Sequence, residues 1–119
     1  MRTRIAAEGH PQNGGMGKLI RDRVPERVRE AGQHNEVRVM TETEYPTALR
    51  EKVVEEAREV AGAESRAALI EELADLAEVA LALARHEGIS VEEIQAHMGA
   101  KNHSHGSFSA RLYSTSFRS

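Results

Sequence analysis

Two acidic groups stand out for the chemistry their spacing permits. Glu55, Glu56 and Glu59 form one, and Glu71, Glu72 and Asp75 the other. Within them, Glu56/Glu59 and Glu72/Asp75 are three apart, which puts both members of each pair on one side of a helix. If two neighbouring helices bring these carboxylates to one level, they repel at roughly 4 kcal/mol per close pair for an effective dielectric of 20. Counter-charge is then required. Hard divalent cations with oxygen ligands, Mg²⁺ above all with Mn²⁺ as substitute, are its natural source. The ordinary alternative is that glutamate, a good helix former, faces water, with Lys52 or Arg58 pairing locally with Glu55 or Glu56. Spacing alone leaves both readings open.

The elements that must position these groups are helical. From Thr43, an N-cap candidate with Pro46 in the first turn, Leu49, Val53, Ala57 and Val60 recur at helical spacing up to Gly62. A second long helix is predicted over about 66–86, with Leu69, Leu73, Leu76, Ala80 and Leu83 on one face and Gly88 closing it. Its seven alanines permit close helix approach. The loop between 62 and 65 is too short for anything but an antiparallel pair. Pro25 and Gly32 bracket a short helix over 24–31, and Ser90 to Glu93 forms a capping box that opens another running to about Ala100. Val37/Val39 and Phe108/Ala110/Leu112 alternate, the first suggesting a brief strand or extended link and the second a short strand. The fold class expected is all-α: a small helical bundle with two long antiparallel helices, short flanking helices and these minor strands. Residues 1–17, broken by Pro11, Asn13, Gly14, Gly15 and Gly17, are expected to be a disordered extension, with Met16 an alternative start. Residues 18–113 then form the domain, and 114–119 a flexible tail.

Composition narrows the classes further. The 119 residues are 39% hydrophobic and 3% aromatic, without Trp, so the core is thin and partner burial would help it. With no cysteine there are no disulfides, thiol nucleophiles or cysteine zinc sites. His103 and His105 lack a third soft ligand for zinc. The net charge of −3 conceals an acidic middle, with ten acids against five bases over 48–87, between basic ends. That distribution does not suit a nucleic-acid polymer, which asks for a basic surface throughout. It suits an anionic ligand arriving with cations. No apolar run approaches a membrane span and no signal peptide is evident, so a cytoplasmic location without membrane association is expected.

The run Glu56-x-x-Glu59, twelve residues, then Glu72-x-x-Asp75 resembles the ExxE…ExxD signature of the all-α NTP pyrophosphohydrolases, which include MazG, the dimeric dUTPases and phosphoribosyl-ATP pyrophosphohydrolase. The opening KLIRDRVPE, from Lys18 to Glu26, resembles the KLVRDKIPE-type start of MazG-like, phosphoribosyl-ATP pyrophosphohydrolase-like proteins. LREKVVEEAREV, EELADLAEVALALA, the GIS segment and the late Lys101…Gly106-x-Phe108 follow the same pattern, over about residues 17–113. One departure is His105-Gly106-Ser107-Phe108 where relatives often carry an RGGF-like sequence.

This resemblance implies a Mg²⁺-dependent enzyme that cleaves a nucleoside triphosphate between its α- and β-phosphates, giving a monophosphate and pyrophosphate. Glu56, Glu59, Glu72 and Asp75 match the family's metal ligands, and Glu55 matches an extra glutamate that is a candidate base. Lys18, Arg21, Lys52, Lys101 and Arg111 are candidates for the positive charge on the substrate's phosphates. Three have a plainer rival: Arg21 as partner of Asp22 or Glu26, Lys101 as a helix C-terminal cation, Lys52 as a surface ion pair. The superfamily generally works as oligomers, so a homodimer or homotetramer is expected. The substrates expected are non-standard or surplus nucleotides. Phosphoribosyl-ATP hydrolysis in histidine biosynthesis is the enzymatic alternative, ranked lower because the KLIRDR start belongs to the MazG-like relatives. A non-catalytic helical oligomer that binds nucleotide or protein is the alternative from another class.

Overall fold

A computed structural model describes residues 17–117. They form four helices, α1 (Val24–Glu30), α2 (Glu44–Gly62), α3 (Arg66–His86) and α4 (Val91–His105), and no strand is present among the described residues. The architecture is all-α, as expected. The anticipated extension lies almost wholly outside the described residues, apart from exposed Gly17.

Helix ends follow the local chemistry, with two corrections. α1 begins with a proline in its first turn, where a missing N–H costs nothing. It ends in a Schellman motif: Gln33 N–H donates to the Val28 carbonyl and Gly32 N–H to that of Arg29, with Gly32 at φ +78°. α3 ends the same way, through Ile89 to Ala84 and Gly88 to Arg85, with Gly88 at φ +72°. The capping box of α4 is formed: Glu93 N–H donates to Ser90 Oγ and Ser90 N–H to Glu93 Oε1, each at 3.0 Å. That helix runs to His105 rather than Ala100. At α2 Thr43 holds the N-cap position as expected, but its side chain makes no capping bond. Thr41 does the work, its Oγ1 accepting from Glu44 N–H at 3.2 Å while its own N–H donates to Glu44 Oε1 at 2.9 Å. Both threonines fit a sequence rule; only Thr41 stands three residues before a glutamate.

Arg38 closes on the same Glu44 carboxylate with two bonds, of 2.9 and 2.7 Å. The Val37–Val39 segment is therefore an extended link clipped to the start of α2 and not a strand; both valines are exposed. The second expected strand also fails. Arg111 sits at φ +59°, in the left-handed region, which breaks the extended alternation of Phe108, Ala110 and Leu112, and all three side chains are exposed.

α2 and α3 pack antiparallel, with the Tyr45 and His86 rings meeting edge to face at 5.3 Å where the start of α2 adjoins the end of α3. The buried apolar side chains are few: Val28 from α1, Ala48 and Leu49 from α2, Val79 and Ala84 from α3. None comes from α4. The expected apolar face of α2 is roughly right, with Leu49 buried, Val53 and Val60 half-buried, and Ala57 exposed. That of α3 is not. Leu69, Leu73 and Ala80 are exposed, and the buried line runs through Glu72 and Val79, flanked by half-buried Asp75, Leu76 and Leu83. α3 is apolar over more than half of its circumference, so periodicity offers more than one face and α2 can cover only one.

The Arg38 clip carries a pH dependence. The guanidinium's hydrogen bond is the main cause that holds the Glu44 carboxyl down at about 2, with the Thr41 N–H adding to it. Because the folded value lies below the unfolded one, this contribution is complete above about 4.5 and is lost as pH falls towards 2. Thermal unfolding of Glu44→Gln is expected at lower temperature than wild type at pH 7, with the gap closing as the pH approaches 2.

Candidate metal and phosphate site

The antiparallel geometry decides which acids meet. Glu56 lies six residues before the end of α2 and Glu72 six after the start of α3, so both sit about 9 Å from the connecting loop at 1.5 Å per residue. They face each other within the helix pair and are both buried, Glu56 at only 2% exposure. Glu56, Glu72 and half-buried Asp75 each offer an oxygen within 4.8 Å of the others. Glu59 stands outside that group. In an antiparallel pair the two three-residue steps run in opposite directions, so Glu59 and Asp75 fall on opposite sides of the Glu56/Glu72 level, about 9 Å apart along the axis. Three carboxylates converge, where four were anticipated at one level.

Cations from two parts of the chain close around them. Lys52 Nζ, on α2, lies 3.3 Å from Glu55 Oε1 and 3.7 Å from Glu56 Oε2. Lys18 Nζ, from the segment before α1, lies 3.6 Å from Glu55 Oε2, with both side chains largely covered. Arg21 Nη2 donates to Asp75 Oδ1 at 2.9 Å. The local rivals weighed for Arg21, Asp22 and Glu26, are not its partners; Arg23 takes Glu26 instead, at 2.7 Å. Each Glu55 oxygen thus has an ammonium nearby. That geometry favours a tether for Lys18 and Lys52 over a free general base.

Lys101 and Arg111 are not brought to this network. Lys101 is exposed on α4, and its carbonyl accepts from Ser104 Oγ within a helix that continues past it, so it is not the C-terminal cation either. Arg111 is exposed in the segment beyond α4. His103 and His105 are likewise exposed and belong to no metal-holding group among the described residues. Sequence reasoning passed over Glu51, one turn before Glu55 on α2, whose Oε1 is buried without a hydrogen-bond partner. Its place four residues before Glu55 was the available signal.

The donor set fits a hard cation. Its ligand atoms are all carboxylate oxygens, as Mg²⁺ and Mn²⁺ prefer, with none of the sulfur or imidazole a softer metal takes. Among the described residues, Lys18, Arg21 and Lys52 are the bases that pair with these carboxylates. Nearby, the orphaned Glu51 oxygen is a further acceptor awaiting a donor or cation. No helix among the described residues is long and apolar enough to cross a membrane.

Fold and site together define an all-α helix pair in which carboxylates of both long helices meet, with basic side chains at their border. The chain belongs to the phosphoribosyl-ATP pyrophosphohydrolase family, whose model matches residues 16–102, and with it to the MazG-like NTP pyrophosphohydrolase superfamily. An uncharacterised protein of Mycolicibacterium smegmatis is similar, 39% identical over 56 residues, which are 47% of this chain and 57% of that relative. The chain thus matches little more than half the length of that relative. No solved structure matches. Family membership supports a pyrophosphohydrolase-type, hydrolytic activity.

Repulsion within the trio is testable on the metal-free protein. Two full charges 4.8 Å apart cost on the order of 3 kcal/mol at an effective dielectric of 20, before the cations offset them. Glu72→Gln is expected to raise the metal-free melting temperature by several degrees, at about 4–8 °C per kcal/mol. Calorimetry should also show that it loses the stabilisation Mg²⁺ confers on wild type.

Proposed function

We propose that this protein is a divalent-cation-dependent nucleotide pyrophosphohydrolase, hydrolysing the α–β phosphoanhydride of a nucleoside triphosphate to a monophosphate and pyrophosphate. Non-standard or surplus nucleotides are its proposed substrates. The observation that carries the reading is the trio of buried Glu56 and Glu72 with half-buried Asp75, with Lys18, Lys52 and Arg21 at its border. Glu56, Glu72 and Asp75 would hold Mg²⁺, or Mn²⁺ in its place, and Glu59 would add a ligand from the loop side of Glu56. Bound there, the cation would neutralise charge developing on the phosphates and polarise the attacking water.

The chain's own residues supply the rest. Lys52 sits beside Glu56, so its ammonium lies at the border between carboxylates and any phosphate facing them. Lys18 is held there by Glu55 and orients positive charge without a large entropic cost, because its side chain is already packed. Arg21 offers a planar donor fork suited to phosphate oxygens. Burial of Glu56 and Glu72 lowers the local dielectric and strengthens each of these interactions. Lys101 and Arg111 would reach phosphates only from another copy of the chain or after the C-terminal segment folds back.

Such a second copy is part of the proposal. Leu69, Ile70 and Leu73 on α3 are 40–56% exposed, and Val54 on α2 is similarly open. An apolar stripe of this kind beside so small a core supports a homodimer or a homotetramer. Light scattering on wild type is expected to give a multiple of 13.1 kDa, and Leu73→Glu is expected to shift the mass to the monomer.

A second reading, hydrolysis of phosphoribosyl-ATP in histidine biosynthesis, is favoured by the family whose model matches. The deciding measurement is pyrophosphate release from canonical and modified nucleoside triphosphates and from phosphoribosyl-ATP, with Mg²⁺, Mn²⁺ or EDTA. Release is expected from triphosphates, with EDTA abolishing it. Glu56→Ala and Glu72→Ala are expected to lose more than the roughly 100-fold typical of changes outside the ligand sphere. Release from phosphoribosyl-ATP alone would establish the second reading. A folded oligomer that releases pyrophosphate from none of them is a binding module.

A further inference from the structure

Arg21 and a divalent cation claim the same carboxylate. The guanidinium donates to Asp75 Oδ1 at 2.9 Å, and Asp75 is one of the three side chains whose oxygens converge within 4.8 Å. Cation–oxygen bonds to Mg²⁺ are about 2.0–2.1 Å, so an ion seated on the trio would lie within a few ångströms of the guanidinium's positive charge. The two cations therefore bind in competition.

The chain around Arg21 is arranged for exchange. Three residues earlier, Lys18 is fastened to Glu55 with both side chains largely covered, and the Arg21 carbonyl accepts from Val24 N–H at 3.1 Å at the entry to α1. The backbone on both sides is thus held. The Arg21 side chain, by contrast, is 59% exposed, while Asp75 is 20% exposed. An exposed guanidinium on a mostly covered carboxylate can leave without disturbing the packing beneath it.

Resting on the metal-dependent reading above, we infer that Arg21 is a resident counter-cation of Asp75 that opposes binding of a free divalent ion and is drawn off by a phosphate-bearing anion arriving with that ion. The site consequently prefers the cation–polyphosphate complex over the bare cation. Arg21 acts as a positioning residue: its charge sits on Asp75 at rest and on the anion in the loaded site. Lys52 does not make this exchange, because it also has Glu55 to hold it when Glu56 binds metal.

The test is Mn²⁺ binding to the full chain, followed by electron paramagnetic resonance, with and without inorganic pyrophosphate. Arg21→Ala, and Arg21→Gln with more of the side chain kept, are expected to bind Mn²⁺ alone roughly two- to fivefold more tightly, the scale of one exposed ion pair. Pyrophosphate is expected to tighten Mn²⁺ binding in wild type and to do so by a smaller factor in both variants. Arg23→Ala, which removes an equal charge paired with Glu26, is expected to leave Mn²⁺ affinity unchanged. Unchanged or weaker Mn²⁺ binding by both Arg21 variants overturns the inference, as does an equal gain in Arg23→Ala. Failure of wild type to bind Mn²⁺ under either condition overturns the metal-dependent reading itself, and the exchange with it.

Discussion

Burying Glu56 and Glu72 face to face is the constraint to which the rest of this structure answers. Two carboxylates at the same level of an antiparallel helix pair, with a third within 4.8 Å, are costly in a setting that water reaches poorly. Nothing in the apolar core requires them there. A leucine or methionine at either position would pack against α2 or α3 at no electrostatic cost. The basic residues Lys18, Arg21 and Lys52 gather at this seam and offset part of that cost.

That requirement explains the course of the N-terminal segment. Lys18 and Arg21 precede the first helix, yet they pair with Glu55 on α2 and Asp75 on α3. One short stretch thus bridges both long helices at the level of the carboxylates. Within α1, Val28 is the one buried side chain. Ion pairs at the site and one apolar anchor do here what a third packed helix does in a larger bundle. The economy of apolar contact leaves one side of α3 open, where its leucines and alanines would otherwise be covered.

Charge also divides the molecule by role. The acids and bases of α2, α3 and the preceding segment form a network, with lysine and glutamate alternating across it. Lys101, on a helix with no buried side chain, and Arg111 beyond it take no part in that network. The proposed phosphoanhydride cleavage asks for such a setting of carboxylates and cations, because little covalent work falls to the protein and most of the barrier is electrostatic. That setting also suits selection for the phosphates over the base, since Tyr45 is already engaged with His86 and Phe108 lies in the exposed segment beyond α4.

Much of this was legible in the residues alone, for reasons that are local. Gly32 and Gly88 mark helix ends because each sits at a positive φ that glycine adopts freely; Ser90 and Glu93 satisfy each other across one turn. The short link between α2 and α3 forced an antiparallel pair, and equal distances from that link put Glu56 opposite Glu72. Other features depended on the third dimension. Helical period could not orient α3, which is apolar on several sides, so the buried line through Glu72 and Val79 emerged only from what α2 covers. Nor could spacing separate Glu59 from the trio, because the opposite running senses of the two helices matter and a linear motif does not display them. Alternation suggested a strand at 108–112, but a strand needs a partner and a permissive backbone, and Arg111 has neither. Arg21 had acids next to it in sequence and chose one 54 residues away. Sequence by itself determined the helices, most of their ends and the acidic groups on the two long ones, since these follow from contacts within a turn or two. Only the tertiary structure decided which of those carboxylates meet and which cations attend them, because that rests on the rotation of one helix against another and on long-range ion pairs.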